Sequence, residues 1–139
     1  MSDLAALRQQ LRRHEGVRLR PYTDTVGKLT IGVGRNLADR GISEDEADYL
    51  LDNDIWLVEE ALRRYDWFLA LSDVRQNVLL NMGFNMGVPR LLVFMRLISA
   101  LRAGDYWRAA VEMLDSQWAK QVGSRAVELA NQMRTGEAI

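Results

Sequence analysis

The chain has no cysteine, one histidine and two prolines in 139 residues. Without cysteine there are no disulfides, thiol nucleophiles or iron–sulfur ligands, and most zinc sites lose their usual donors. A lone His14 also removes most metal-centred and Ser-His-Asp schemes. No long uncharged apolar run occurs, so no transmembrane helix is expected. The opening residues MSDLAALRQQLRRHEG have no cationic start followed by an apolar core, so a secretory signal is not expected either. Lysine is scarce: sixteen of the eighteen cationic residues are arginine. Repeats, low-complexity tracts and linkers are missing too.

What is present fits one domain with one or two small cores. Apolar residues make up 48% of the chain and charged residues 27%, as in ordinary globular proteins. The net charge of −1 is unevenly spread. Residues 1–42 carry eight Lys/Arg against four Asp/Glu, residues 43–66 two against nine, and residues 67–139 eight against six. Arginine forks suit carboxylate and phosphate partners, but a surface of mixed sign is the favoured reading. The net charge gives no case for a nucleic-acid partner.

The first segment reads as a helix, with Leu4, Leu7 and Leu11 at helical spacing, Ser2 or Asp3 as cap and Gly16 as stop. The period then changes. Residues 18–22 read as extended and Val26-Gly27 as a turn. Residues 28–34 alternate, with Leu29, Ile31 and Val33 on one face and Thr30, Gly32 and Gly34 on a bare one. Ser43 and Glu46 form a capping box that opens a long helix striped by Ala47, Leu50, Leu51, Ile55, Val58, Leu62 and Tyr65. Run to Asp66, that helix spans roughly 35 Å, long enough to join two lobes. Four shorter helices follow: about 72–86, one from Pro89 to Arg102, one after Asp105, and one from Ser124 to near Gly136.

Two carboxylates stand in this frame. Glu15 falls at the C-terminus of the first helix, where the helix dipole disfavours an anion and burial would add to that. Asp24 falls at the ribbon turn, where solvent and free N–H groups favour one. Environments that separate two carboxylates in this way suit glycoside hydrolysis, in which one protonates the leaving oxygen and the other stabilises, activates water or attacks. Thr30, beside the glycines, can hold a water. A structural reading stays open for each part: a solvated helix-end acid, a turn aspartate, glycines that serve a bulge.

Glu15-Gly16, Tyr22-x-Asp24-Thr25-x-Gly27 and Leu29-Thr30-Ile31-Gly32-Val33-Gly34 together resemble the phage-type lysozymes, endolysins that cleave peptidoglycan. The likeness extends through Gly41-Ile42-Ser43 to Asp54, Asn81-Met82-x-Phe84-Asn85-Met86-Gly87, Ser116-x-Trp118 to Gln121, Arg125-Ala126 and Arg134-Thr135-Gly136. It implies an α+β, predominantly helical, lysozyme-like fold in one domain, 1–139. A small β-ribbon lobe (about 15–50) and a long connecting helix would lead to a helical lobe of about 60–139 plus helix 3–14. It implies Glu15 as general acid, with Asp24 and Thr30 placing or activating the nucleophile. Gly32, Phe84, Asn85, Gln121 and Arg125 would contact substrate, with Arg125 near Glu15 and Trp118 in the core. No metal or cofactor is implied. Two departures from relatives are visible: Arg35 stands where some carry His, and the short 34–41 segment trims one wall of the small lobe.

The expectation is a monomeric muramidase acting on bacterial cell-wall peptidoglycan between N-acetylmuramic acid and N-acetylglucosamine, with no nucleic acid and no stable membrane association. It would collect in the host cytoplasm and reach the periplasm and cell wall once a separate membrane protein opens the way. The rivals are a lytic transglycosylase, which needs only one glutamate, a non-enzymatic wall-binding protein and, third, a helical DNA-binding module.

Overall fold

Asp3 begins the folding pattern, its carboxylate accepting the Ala6 N–H at 3.0 Å and capping α1 (Leu4–Glu15). The alternative cap, Ser2, lies outside the described residues, which are 3–138 of a computed structural model. Gly16, at φ 75°, ends the helix. The chain then forms β1 (Arg18–Thr23), β2 (Leu29–Gly32) and β3 (Arg35–Asn36), an antiparallel sheet in that order. Pro21 lies in the stretch of β1 where the register against β2 shifts between Arg18 and Tyr22, since proline offers no N–H to a ladder. A short α2 (Leu37–Arg40) follows, capped by Asn36, whose side-chain oxygen accepts the Asp39 N–H.

The chain divides into two compact units, Met1–Tyr49 and Leu50–Ile139, and the division falls inside α3 (Glu44–Leu62). The capping box is present in full. Ser43 N–H donates to Glu46 Oε1 at 2.8 Å and Glu46 N–H to Ser43 Oγ at 3.2 Å.

The first unit has no apolar core among its described residues; Thr30, 3% exposed, is its one buried side chain. Polar ties hold it instead. Arg35 donates to both carboxylate oxygens of Glu46 at 2.8 and 2.6 Å, and to the Gly41 carbonyl at 3.1 Å. The guanidinium and the Ser43 N–H together hold Glu46 down at about 2, and the carboxylate in turn raises Arg35. Lys28 pairs with Asp39 at 3.2 Å, tying the ribbon turn to α2.

The second unit is a helical body: α4 (Asp66–Leu69), α5 (Asp73–Met86), α6 (Val88–Leu92), α7 (Met95–Arg102), α8 (Tyr106–Leu114), α9 (Gln117–Val122) and α10 (Ser124–Thr135). Leu62, Phe68, Leu79, Met82, Leu97, Met113 and Met133 are almost wholly buried in its centre. Arg75 clamps three helices together. From α5 it stacks on Tyr106 of α8, 3.9 Å from the ring centre, and donates to the end carbonyls of α10 at Met133 (2.7 Å) and Arg134 (3.2 Å).

Four expectations need correction. The long helix stops at Leu62, a turn intervenes, and Tyr65 opens α4. Of its stripe only Val58, Leu62 and Tyr65 join the core, while Leu50, Leu51 and Ile55 stay exposed. The helix expected from Pro89 to Arg102 breaks at Val93-Phe94; the bend lets Leu91 and Leu97 both reach the core, which outweighs local helix propensity. Lastly, the ribbon alternation ends at Gly32. Gly32 and Gly34 take φ of 70° and 73°, outside strand geometry. Within β2 the buried residue is Thr30, flanked by Tyr22 and Asn36, while Leu29 is 46% exposed.

Two expected outcomes follow from this packing. A Cβ on Gly83 would meet Val58 Cγ1 at 2.8 Å, so the glycine sets how closely α5 approaches α3. Gly83→Ala should therefore destabilise by about 1–3 kcal/mol through overpacking, despite a helix-propensity gain of about 1 kcal/mol. Val58→Ala should cost less in that background than alone. Urea denaturation checks both, and a Gly83→Ala protein more stable than wild type would show that Val58 yields freely. The second outcome concerns Glu46. A carboxyl lowered on folding contributes stability above its unfolded pKa and loses it as pH falls through the folded one. The melting-temperature gap between wild type and Glu46→Gln should thus be full at pH 6 and close between about 4.5 and 2. A gap unchanged across that window would mean the ion pair adds nothing.

Candidate active site

The end of α1, the ribbon turn and the centre of β2 meet around one hollow of about 450 Å³ in the first unit. Glu15, Asp24 and Thr30 all line it, with Arg18, Tyr22 and Gly34. The three residues that the sequence gives catalytic roles are thus brought together.

Each is held by a different device. Glu15 is the last residue of α1, and its side chain is exposed, so the burial contemplated for it is not present. Its carboxylate lies over Gly34: a Cβ there would stand 3.3 Å from Glu15 Oε2, and the φ of 73° also favours glycine. Asp24 folds the turn around itself. Its Oδ1 accepts the Val26 N–H at 3.0 Å and the Lys28 N–H at 2.8 Å, while its own N–H donates to the Lys28 carbonyl at 2.9 Å. Oδ2 has no partner among the described residues. Thr30 Oγ1 donates its proton to the Lys28 carbonyl at 2.9 Å. The hydroxyl therefore has only acceptor capacity left for the hollow.

The residues assigned to substrate contact fall in other places. Gly32 lines a separate hollow with Arg35, Arg40 and Glu46. In the second unit, Phe84 is 46% exposed rather than core, and lines a hollow of about 380 Å³ with Ile55, Leu80, Asn81 and Arg125. Arg125 is fixed there by two donations to Asn81 Oδ1, at 3.0 and 2.7 Å. Asn85 accepts the indole N–H of Trp118 at 2.9 Å, the partner that a buried tryptophan needs. Trp118 is 3% exposed and belongs to the core, as expected. Gln121 is exposed.

Gly34 and Arg18 are among the lining residues to which the sequence gave no separate role. Gly34 was legible only as a strand glycine; its contact with Glu15 depends on where α1 ends. Arg18 and Tyr22, four apart in an extended segment, share a face by period, which was the available signal.

Comparison with known proteins bears on this geometry. The family model described as phage lysozyme matches residues 12–135. The chain is 29% identical to the pre-baseplate central spike protein Gp5 of Enterobacteria phage T4, over 94% of this chain but only 28% of that longer protein's length. It is 24% identical to the probable T4-type lysozyme 1 of Dictyostelium discoideum, over 96% of both chains. It is 32% identical to the SAR-endolysin of Escherichia phage Mu, over 95% of this chain and 77% of that one. A unit with a small antiparallel sheet, in which Glu15, Asp24 and Thr30 line one hollow, and a unit that is a helical body accord with the matched span: the chain belongs to the phage lysozyme family.

Proposed function

We propose that this lysozyme hydrolyses the bond between N-acetylmuramic acid and N-acetylglucosamine in peptidoglycan, with Glu15 as general acid and a water held by Asp24 and Thr30 as nucleophile. The observation that carries the reading is the hydrogen-bond state of Thr30. Because its proton is engaged by the Lys28 carbonyl, the hydroxyl can only accept. Asp24 Oδ2, which has no partner among the described residues, can only accept as well when ionised. A water between two acceptors donates both of its hydrogens, which leaves a lone pair for the anomeric carbon. Glu15 gives its proton to the glycosidic oxygen as the C–O bond breaks, and Asp24 takes a proton from the attacking water. Asp24 then releases its proton to solvent, and exposed Glu15 takes one up, which restores both groups.

The same reading makes peptidoglycan the partner, with the protein acting as a monomer and without stable membrane attachment. Endolysin names among its relatives support a role in lysis, in which a separate membrane protein gives access to the wall from the host cytoplasm. Among the described residues no helix is long and apolar enough to cross a membrane. A role for Phe84, Asn85, Gln121 and Arg125 along the sugar strand is part of the proposal, and so is a supporting role for Gly32.

Mass spectrometry of fragments released from purified peptidoglycan tests the reaction. Reducing muramic ends are expected; anhydromuramic ends would replace hydrolysis with transglycosylation, and absence of cleavage would leave a wall-binding protein. Glu15→Gln keeps the shape but cannot give up a proton, so wall-clearing rate should fall on the order of 10²–10⁴-fold with the melting temperature held. A variant that keeps a tenth of wild-type turnover removes Glu15 from the role of acid. Thr30→Val should lower kcat far more than it lowers the melting temperature, while Thr30→Ser should restore most of kcat. Equal rates for all three proteins would mean that no water is held at this hydroxyl.

A further inference from the structure

Among the described residues, Arg18 is the one cation lining the hollow that holds Glu15, Asp24 and Thr30. It sits at the start of β1 opposite Gly32, ahead of the register shift at Pro21. Its guanidinium lies over the Tyr22 ring, 4.5 Å from the centre, and Tyr22 is paired across the sheet with Thr30. Other arginines with a fixed place in this chain give their N–H groups to protein acceptors: Arg35 to Glu46, Arg75 to the end of α10, Arg125 to Asn81. Arg18 enters no ion pair among the described residues, although two carboxylates line the same hollow. A ring holds a guanidinium by its face and leaves the in-plane N–H fork open. An open, oriented fork suits a carboxylate, which it can bind through two parallel hydrogen bonds.

We propose that Arg18 is a substrate-binding residue that takes a carboxylate carried by the glycan strand. The inference rests on the proposed peptidoglycan reaction and deepens it by naming what the hollow reads besides sugar. Two sources offer that chemistry. The lactyl ether of muramic acid ends in a free carboxylate where no peptide is attached. Where a stem peptide is attached, that carboxyl is an amide and the stem brings carboxylates of its own. A chitin-type strand has neither, so Arg18 would separate wall glycan from neutral glycan of the same backbone. The charge also acts locally. Two carboxylates without a cation would repel an anionic substrate, and Arg18 offsets that repulsion without being tied to either.

The test compares wild type with Arg18→Gln and Arg18→Lys on four polymers: native wall, stem-free glycan, and each of these with its carboxylates capped as neutral amides. Arg18→Gln should raise KM on carboxylate-bearing polymer about tenfold, the size of one charge-assisted contact, with kcat within about twofold. Capping should raise the wild-type KM by the same factor and leave the Arg18→Gln value unchanged. Arg18→Lys should fall between, since it keeps the charge but loses the fork. An effect that persists on stem-free glycan identifies the lactyl carboxylate, and one confined to stem-bearing wall identifies the peptide. A KM that is unaltered by Arg18→Gln, or one raised equally on native and capped wall, overturns the proposal. Sedimentation of Glu15→Gln and Glu15→Gln/Arg18→Gln with insoluble wall gives a readout independent of turnover. Loss of binding in the double variant on native but not capped wall supports the carboxylate contact even if the assigned reaction fails; equal binding of both variants to native wall counts against it.

Discussion

A single carboxylate, that of Glu46, does for the first unit what a core does for the second. One of its oxygens accepts both from the Ser43 N–H that starts α3 and from Arg35 at the start of β3, and the other accepts from Arg35 again. Arg35 in turn holds the Gly41 carbonyl in the connection between them. Three chain segments are thereby fixed around one charge pair. A unit of 49 residues with no buried apolar side chain among its described residues has little hydrophobic stabilisation to draw on. Its geometry depends on polar groups that satisfy one another, and such ties are directional where apolar burial is not. This matters for the site, because β2, which bears Thr30, is paired to β3 through Thr30–Asn36 and Ile31–Arg35. Arg35 therefore joins the Glu46 ion pair to the strand next to the one that bears Thr30.

The second unit follows the opposite rule. Its core is continuous from Leu62 to Met133, and four of the six methionines in the chain are buried there. The flexible thioether fills irregular gaps between short helices. Polar contacts are few and placed at ends, as with Arg75 on the last carbonyls of α10 and Asn85 on the Trp118 indole. Each satisfies a group that burial would otherwise leave unpaired.

In the candidate site, hydrogen-bond direction carries more information than proximity. Thr30, Asp24 and the backbone of Lys28 form a closed set: the Lys28 N–H goes to Asp24, and its carbonyl accepts from both Asp24 N–H and Thr30 Oγ1. That set consumes the donors and leaves acceptors toward the hollow. In the proposed reaction, a water bound there would be oriented by the protons already committed.

Much of this was legible along the chain. Caps at Asp3, Ser43, Ser72 and Asp105 mark helix starts because a side-chain oxygen three residues before an unpaired N–H is a local matter. The turn at Asp24 is local as well, and so is the pairing of a helix-end glutamate with a nearby ribbon. Together with the resemblance to phage-type lysozymes, that singled out Glu15, Asp24 and Thr30, which line one hollow. What lay outside reach were features set by partners distant in sequence. The end of α3 at Leu62 and the break at Val93-Phe94 answer to the core, not to any local stop signal. Thr30 is the buried residue of its strand while Leu29 is exposed, and alternation separates two faces without saying which one the rest of the chain covers. The hydrogen bond from the Trp118 indole to Asn85, thirty-three residues away, was likewise not legible along the chain. Local hydrogen bonding writes caps and turns into the sequence, whereas burial is a property of the whole packed chain and is decided only when the chain closes on itself.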